Sequence, residues 1–171
     1  MHKNGLQLTI ISALVILLAV LSAAGLAAMA PGESLPAGPA GERPRGTVGT
    51  GRLPGYESQP DNDNPNAFYY TVGSRIVFDR PAALGKVMLE NIPGNQYDME
   101  VQLQLEETGE IVYTSPVLQP GQYLEQDSLD ERLEKGEYHA LAILIALDPQ
   151  TGEPVTQFTE SITLVVKNKL F

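Results

Sequence analysis

Residues 5–30 carry no charged side chain, and residues 31–66 that follow hold seven Pro and seven Gly. This junction limits what the 171-residue chain can build. An uncharged apolar run of that length is suited to a lipid bilayer. A Pro- and Gly-rich stretch with almost no large aliphatic residues cannot bury enough apolar area to offset its ordering entropy. The pattern predicts a short N-terminal tail (residues 1–5), a membrane helix (6–30), a disordered linker (31–66) and a compact domain (67–171).

About 20 apolar residues at 1.5 Å rise each cross the hydrocarbon layer, and residues 6–30 exceed that length. A cleaved signal peptide is the alternative, since Ala28-Met29-Ala30 forms a small-x-small site. Pro31 would then follow the scissile bond, where proline impedes cleavage, so an uncleaved signal-anchor is preferred. The positive-inside rule does not settle orientation, because Lys3 precedes the segment and Arg43 and Arg45 follow it. The very short tail favours a C-terminal domain outside the cytoplasm. As a flexible coil, the linker would span roughly 30–35 Å.

Asp61-Asn62-Asp63-Asn64-Pro65 closes the linker. Alternating carboxylates and amides are either a polar turn or a calcium site with Asp61 and Asp63 as hard oxygen ligands. The run resembles the NDN-containing interdomain linkers of cadherins, which implies the calcium reading.

Beyond the linker the hydrophobic period becomes two. Tyr97, Met99, Val101, Leu103 and Leu105 alternate with Asp98, Glu100, Gln102, Gln104 and Glu106, as in a strand with one buried and one wet face. Glu107-Thr108-Gly109 turns into a hairpin partner over 110–114. Shorter strands are expected over 75–79 and 87–91, and long ones over 137–147 and 157–167. In the last, Phe158, Ile162, Leu164 and Val166 share one face. A helical turn or two is expected over 128–134. The spacing predicts an all-β sandwich of about seven antiparallel strands.

Leu133-Glu134-Lys135-Gly136-Glu137-Tyr138-His139-Ala140 resembles the tyrosine-corner region of immunoglobulin-like and fibronectin-type domains. That resemblance implies that Tyr138 and Ala140 face the core. The whole layout is similar to small membrane-anchored β-sandwich proteins of bacterial cell envelopes. In this register His139, Leu141, Ile143 and Ile145 point outward, and three large aliphatics on an outer face are costly in water. Either the register is reversed, or that face is covered by another segment, a second copy or a partner protein. These four residues are the candidate partner-binding set.

Residues 67–171 carry sixteen acidic against seven basic side chains, a balance of −9 within a total of −10. Such a charge repels phosphate backbones, so nucleic acid is not an expected partner. The chain has no cysteine, which excludes disulfides, thiolate metal sites and cysteine nucleophiles. His2 and His139 are the two histidines. No serine-hydrolase elbow or phosphate-binding loop is present. Glu106 and Glu107, as strand neighbours, point to opposite faces. An acidic cluster (Glu125, Asp127, Asp130, Glu131, Glu134) reads as a solvated loop or as a site for a cation or basic partner. Tyr69, Tyr70, Tyr113 and Tyr123 could offer sugars a flat platform. Neither catalysis nor a cofactor is expected. The expected partners are a bilayer, through 6–30, and a protein or second copy, through a sheet face. An accessory subunit of a transport, secretion or envelope-assembly complex is the alternative.

Overall fold

A computed structural model describes residues 43–168. The predicted membrane helix, and residues 31–42 of the predicted linker, lie outside the described residues. Among those described, no helix is long and apolar enough to cross a membrane.

Among the described residues nine strands follow in order: β1 (Gly49–Thr50), β2 (Tyr70–Thr71), β3 (Arg75–Phe78), β4 (Leu89–Asn91), β5 (Asp98–Leu105), β6 (Ile111–Thr114), β7 (Gln122–Leu124), β8 (Gly136–Leu147) and β9 (Pro154–Val166). They form a four-stranded sheet ordered β1-β7-β4-β2 and a five-stranded sheet ordered β3-β9-β8-β5-β6. The fold is all-β and sandwich-like.

Alternation along β5 drives Met99, Val101, Leu103 and Leu105 into the interior. From β8 come Ala140, Ala142, Leu144 and Ala146, and from β9 Ile162, Leu164 and Val166. Leu89 of β4 and Leu124 of β7 join the same cluster from the other sheet. Fully burying one such large aliphatic side chain contributes about 1.5–3 kcal/mol relative to exposure. The β5–β6 turn uses Gly109 at φ +73°, where its N–H donates to Leu105 O at 2.9 Å.

The expected long strands appear, with β9 starting at Pro154. The strand expected over 87–91 begins at Leu89, because Met88 sits at φ +53° and breaks the extended run. Not every pair is antiparallel: β3 runs parallel to β9, with Ile76 opposite Leu164. No helix forms over 128–134. That segment wraps the β6 edge instead, with the Asp130 and Glu131 N–H groups donating to Val112 O and Thr114 N–H donating to Asp130 Oδ2. Leu129 and Leu133 are buried there, so the apolar positions that suggested a helix serve an extended wrap.

The largest correction concerns the linker. From Arg43 onward, residues predicted to be disordered are docked on the domain. Gly49–Thr50 pairs with β7, and Leu53 is fully buried. Polar bonds accomplish this where apolar area is scarce. Arg52 Nε donates to Glu90 Oε1 at 2.6 Å, and the same oxygen accepts from Leu53 N–H at 3.2 Å. Glu90 is fully buried, so it needs these donors. Arg43 Nη1 donates to Leu129 O at 2.9 Å, and Arg45 pairs with Asp130. Gly46 passes so close to Gln126 O that a Cβ would lie 1.7 Å from it.

Candidate functional site

β8 is the central strand of the five-stranded sheet, so its outward residues lie mid-face. The register is not reversed. Ala140, Ala142, Leu144 and Ala146 are fully buried, while Leu141, Ile143 and Ile145 point outward and are half-buried. Their cover comes from the flanking strands. Leu141 lies between Gln104 and Ser161, Ile143 between Gln102 and Thr159, and Ile145 between Glu100 and Gln157. Long amide and carboxylate stems can shield aliphatic neighbours while their polar ends stay wet. Gln102 Nε2 donates to Glu100 Oε1 at 3.1 Å, and Gln104 Nε2 to Gly109 O at 2.8 Å, which holds this flank in place. The result is an aliphatic stripe between two uncharged or acidic margins.

His139 is exposed at one end of the stripe, opposite Thr163. Nearby, Arg75 donates from both terminal nitrogens to Glu137, at 3.3 and 3.2 Å. The Arg75 hydrogen bond holds the Glu137 carboxyl below its ordinary pKa. Next to this pair is a cleft of about 430 Å³ lined by Leu105, Glu106, Glu107, Thr108, Glu137, Tyr138 and His139. Among the described residues no group of three or more His, Asp or Glu side chains is placed to hold a metal ion.

Asp61 and Asp63, the calcium candidates, point away from the domain while Asn62 points in. Asp61 accepts from Arg52 Nη1 at 3.1 Å. The amide between them does the structural work. Asn62 Nδ2 donates to Asn95 Oδ1 at 2.8 Å, Asn95 Nδ2 to Asn91 Oδ1 at 2.6 Å, and Asn91 Nδ2 to Leu118 O at 2.8 Å. This buried chain joins the stretch before β2, the turn after β4 and the approach to β7. Gly94, at φ +90°, makes room for it, since a Cβ there would lie 2.1 Å from Asn62 O.

The acidic cluster is only partly a solvated loop. Asp127 is buried and accepts from Tyr113 Oη–H and Gly46 N–H, each at 3.0 Å. Burial, followed by the neighbouring Asp127 charge, pushes the Tyr113 hydroxyl pKa well above its ordinary value. The four tyrosines form no common platform. Tyr113 is in the core, Tyr123 lies against Gly49, and Tyr69 is exposed.

Tyr70 instead joins an aromatic cluster that the sequence did not single out. The Phe68 and Phe158 rings stack at 5.9 Å with an interplanar angle of 2°, and Tyr70 leans on Phe158 at 5.8 Å. Tyr70 Oη–H donates to Glu160 Oε1 at 2.9 Å. Burial first, and Glu160 second, push the Tyr70 pKa up to about 12. The available signal was Phe158 as the lone large apolar residue on the inner face of residues 154–161.

No protein family, curated protein or solved structure matches this chain.

Proposed function

We propose that this chain is a non-catalytic display module. Residues 6–30 anchor it in a bilayer, and an immunoglobulin-like head outside the cytoplasm contacts a protein or envelope component. Two features support the immunoglobulin-like reading of the head. Tyr138 Oη–H donates to Glu134 O at 2.9 Å, four residues upstream, as a tyrosine corner does. The strand order, with β4 beside β7 in one sheet and β5, β8 and β9 adjacent in the other, follows the B–E and C–F–G adjacencies of such sandwiches.

The observation that carries the binding reading is the Leu141–Ile143–Ile145 stripe at the centre of an outer sheet face. A stripe of this kind can lose water against a partner, while its polar margins set orientation. The partner surface it fits is apolar at its centre and neutral or basic at its rim.

The test places a photo-crosslinking amino acid at position 143 or, as an inward control, at 144, in the full chain within its own membrane. Adducts at 143 that vanish in Leu141→Glu/Ile145→Glu chains are expected. Uniform absence of adducts at 143 would overturn the reading. Labelling of a cysteine introduced at exposed Val117 by a membrane-impermeant reagent on intact cells tests the topology separately.

A further inference from the structure

We infer that the end of the sandwich holding the aromatic cluster is a docking groove for a proline-rich peptide flanked by lysine or arginine, contributed by another protein. This surface is distinct from the aliphatic stripe, and the inference does not depend on the stripe having a partner. Two clefts adjoin Phe68. One, of about 400 Å³, is lined by Gln59, Pro60, Phe68, Tyr69, Tyr70 and Ile92. The other, of about 290 Å³, lies between residues 65–68 and the start of β9, with Tyr97, Val155, Thr156 and Phe158 in its wall. Phe68 belongs to both linings and stands between them. Its ring is fixed by the stack on Phe158 and by Tyr70 at 6.1 Å. Tyr69 and Val155, one in each cleft, remain 45% and 50% exposed.

The walls decide what kind of ligand enters. No side chain lining either cleft is charged. Apolar and aromatic walls with a few amides and hydroxyls suit a ligand that gives up water at its anchor points. Aromatic-lined grooves receive polyproline segments, which arrive already extended and lose little entropy on docking. In that conformation residues three apart stand on one side, about 9 Å from each other. Two such prolines straddle the Phe68 ring and enter one cleft each. A compact ligand fills one cleft and leaves the other wet.

The rim decides the charge of the ligand. Glu57, Asp61, Asp63, Asp98, Glu153 and Glu160 each lie within two residues of a lining position. The segments that supply both linings, residues 53–74, 87–131 and 136–166, contain no lysine or arginine. Arg52, just before the first of them, is committed to Glu90 and Asp61. Toward the opposite end of the sandwich acids do meet cations, as in Arg45 with Asp130, Arg75 with Glu137 and Lys86 with Glu125. An uncharged groove inside a poorly compensated acidic rim favours cationic flanks, speeds their encounter and repels acidic ones. The chain's own Pro36-Ala37-Gly38-Pro39 has the proline spacing, but Glu33 and Glu42 flank it. The rim therefore selects a foreign segment over this one.

The test titrates the full chain, in nanodiscs of neutral lipid, against a fluorescent peptide of sequence Lys-Arg-Pro-Leu-Pro-Pro-Leu-Pro-Arg-Lys, read by anisotropy. A dissociation constant on the order of 100 μM is expected at low salt. It should weaken about fivefold or more at roughly 500 mM salt, where the rim is screened. The same peptide with glutamate at its basic positions should bind about tenfold more weakly or worse. Val155→Arg puts a like charge into one cleft and should weaken binding of the basic peptide about tenfold. Asp63→Lys combined with Glu153→Lys should weaken it about fivefold. These side chains are exposed, so thermal midpoints should stay within a few degrees of the parent. Leu84→Ser, at an exposed apolar residue away from the groove, should leave binding unchanged.

No binding at about 1 mM peptide, equal binding of the glutamate peptide, or undiminished binding in Val155→Arg would each overturn the proposal. Saturable binding of the neutral oligosaccharide cellohexaose, blocked by Val155→Arg and unaccompanied by peptide binding, would also overturn it and would assign the groove to a glycan.

Discussion

β5 with β8, and the stretch from Arg43 to Asn66, are both ordered in the same fold, but by different physics. β5 and β8 are held by apolar burial repeated every second residue, with Met99, Val101, Leu103, Ala142 and Leu144 sealed from solvent. Residues 43–66 contribute one sealed aliphatic, Leu53, and depend on polar groups that bond to the domain. Arg52 reaches Glu90, Gly46 N–H reaches Asp127, and Asn62 reaches Asn95. Sparse apolar content therefore does not imply disorder when the folded surface presents buried groups that need partners. Glu90, Asp127 and Asn95 would each lose partners without the N-terminal stretch, and leaving a buried polar group unsatisfied costs about 1–3 kcal/mol.

This contrast predicts its largest effect for truncation. A chain starting at Ala67 should fail to fold cooperatively, whereas one starting at Pro39 should keep a sharp thermal transition. Circular dichroism melting of the two fragments decides the point. A stable 67–171 fragment would make the docking of 43–66 incidental.

Next in size is the buried ion pair. Arg52→Ala should cost about 3–5 kcal/mol, because it takes the cationic partner from a buried carboxylate that keeps only Leu53 N–H and the Thr71 hydroxyl as donors. Replacing both partners, as Arg52→Met with Glu90→Met, should recover much of that loss, since a well-packed apolar pair can match a buried ionic one. Leu103→Ala should cost a similar amount, about 2–5 kcal/mol. No second substitution of a neighbour should recover it comparably, because the loss is area and packing. Urea denaturation of the four proteins distinguishes polar from apolar anchoring. Equal recovery in both regions would erase the distinction.

The smallest effect is a pH dependence at the aromatic cluster. Tyr70 has its pKa raised from 10.0 to about 12 in the folded state. Its contribution is therefore complete below pH 10 and lost as pH rises from 10 towards 12. Tyr70→Phe should be slightly less stable than the parent at pH 8. The difference between the two should narrow across that alkaline window, as read from thermal midpoints. A gap that stays constant to pH 12 would show that the hydroxyl bond to Glu160 is not maintained in solution.

What was legible in the sequence follows the same division. The inward faces of β5 and β9 could be read because a strand's two-residue period writes burial directly into residue order. For β8 the period left two registers open, and burial of Ala140, Ala142, Leu144 and Ala146 decided that Leu141, Ile143 and Ile145 point outward. The parallel β3–β9 pair, the short strands β1, β2 and β7, and the wrap over 128–134 were not legible. Each depends on contacts between distant segments, and two- or three-residue strands carry no period to detect. Asp61 and Asp63 were legible as alternating oxygens, whereas the burial of Asn62 between them was not, because its partner Asn95 lies far along the chain.

Residue order by itself determined the β character of the domain and which side chains of the long strands meet the core, since those properties depend on local period and apolar content. It also placed an uncharged run ahead of a Pro- and Gly-rich stretch. Only the tertiary structure decided that the stretch from Arg43 belongs to the domain, that β3 pairs with β9 from Thr163 onward, and which polar groups become partners. Those outcomes arise from buried donors and acceptors that lie far apart in the chain and meet only after the sheets have formed.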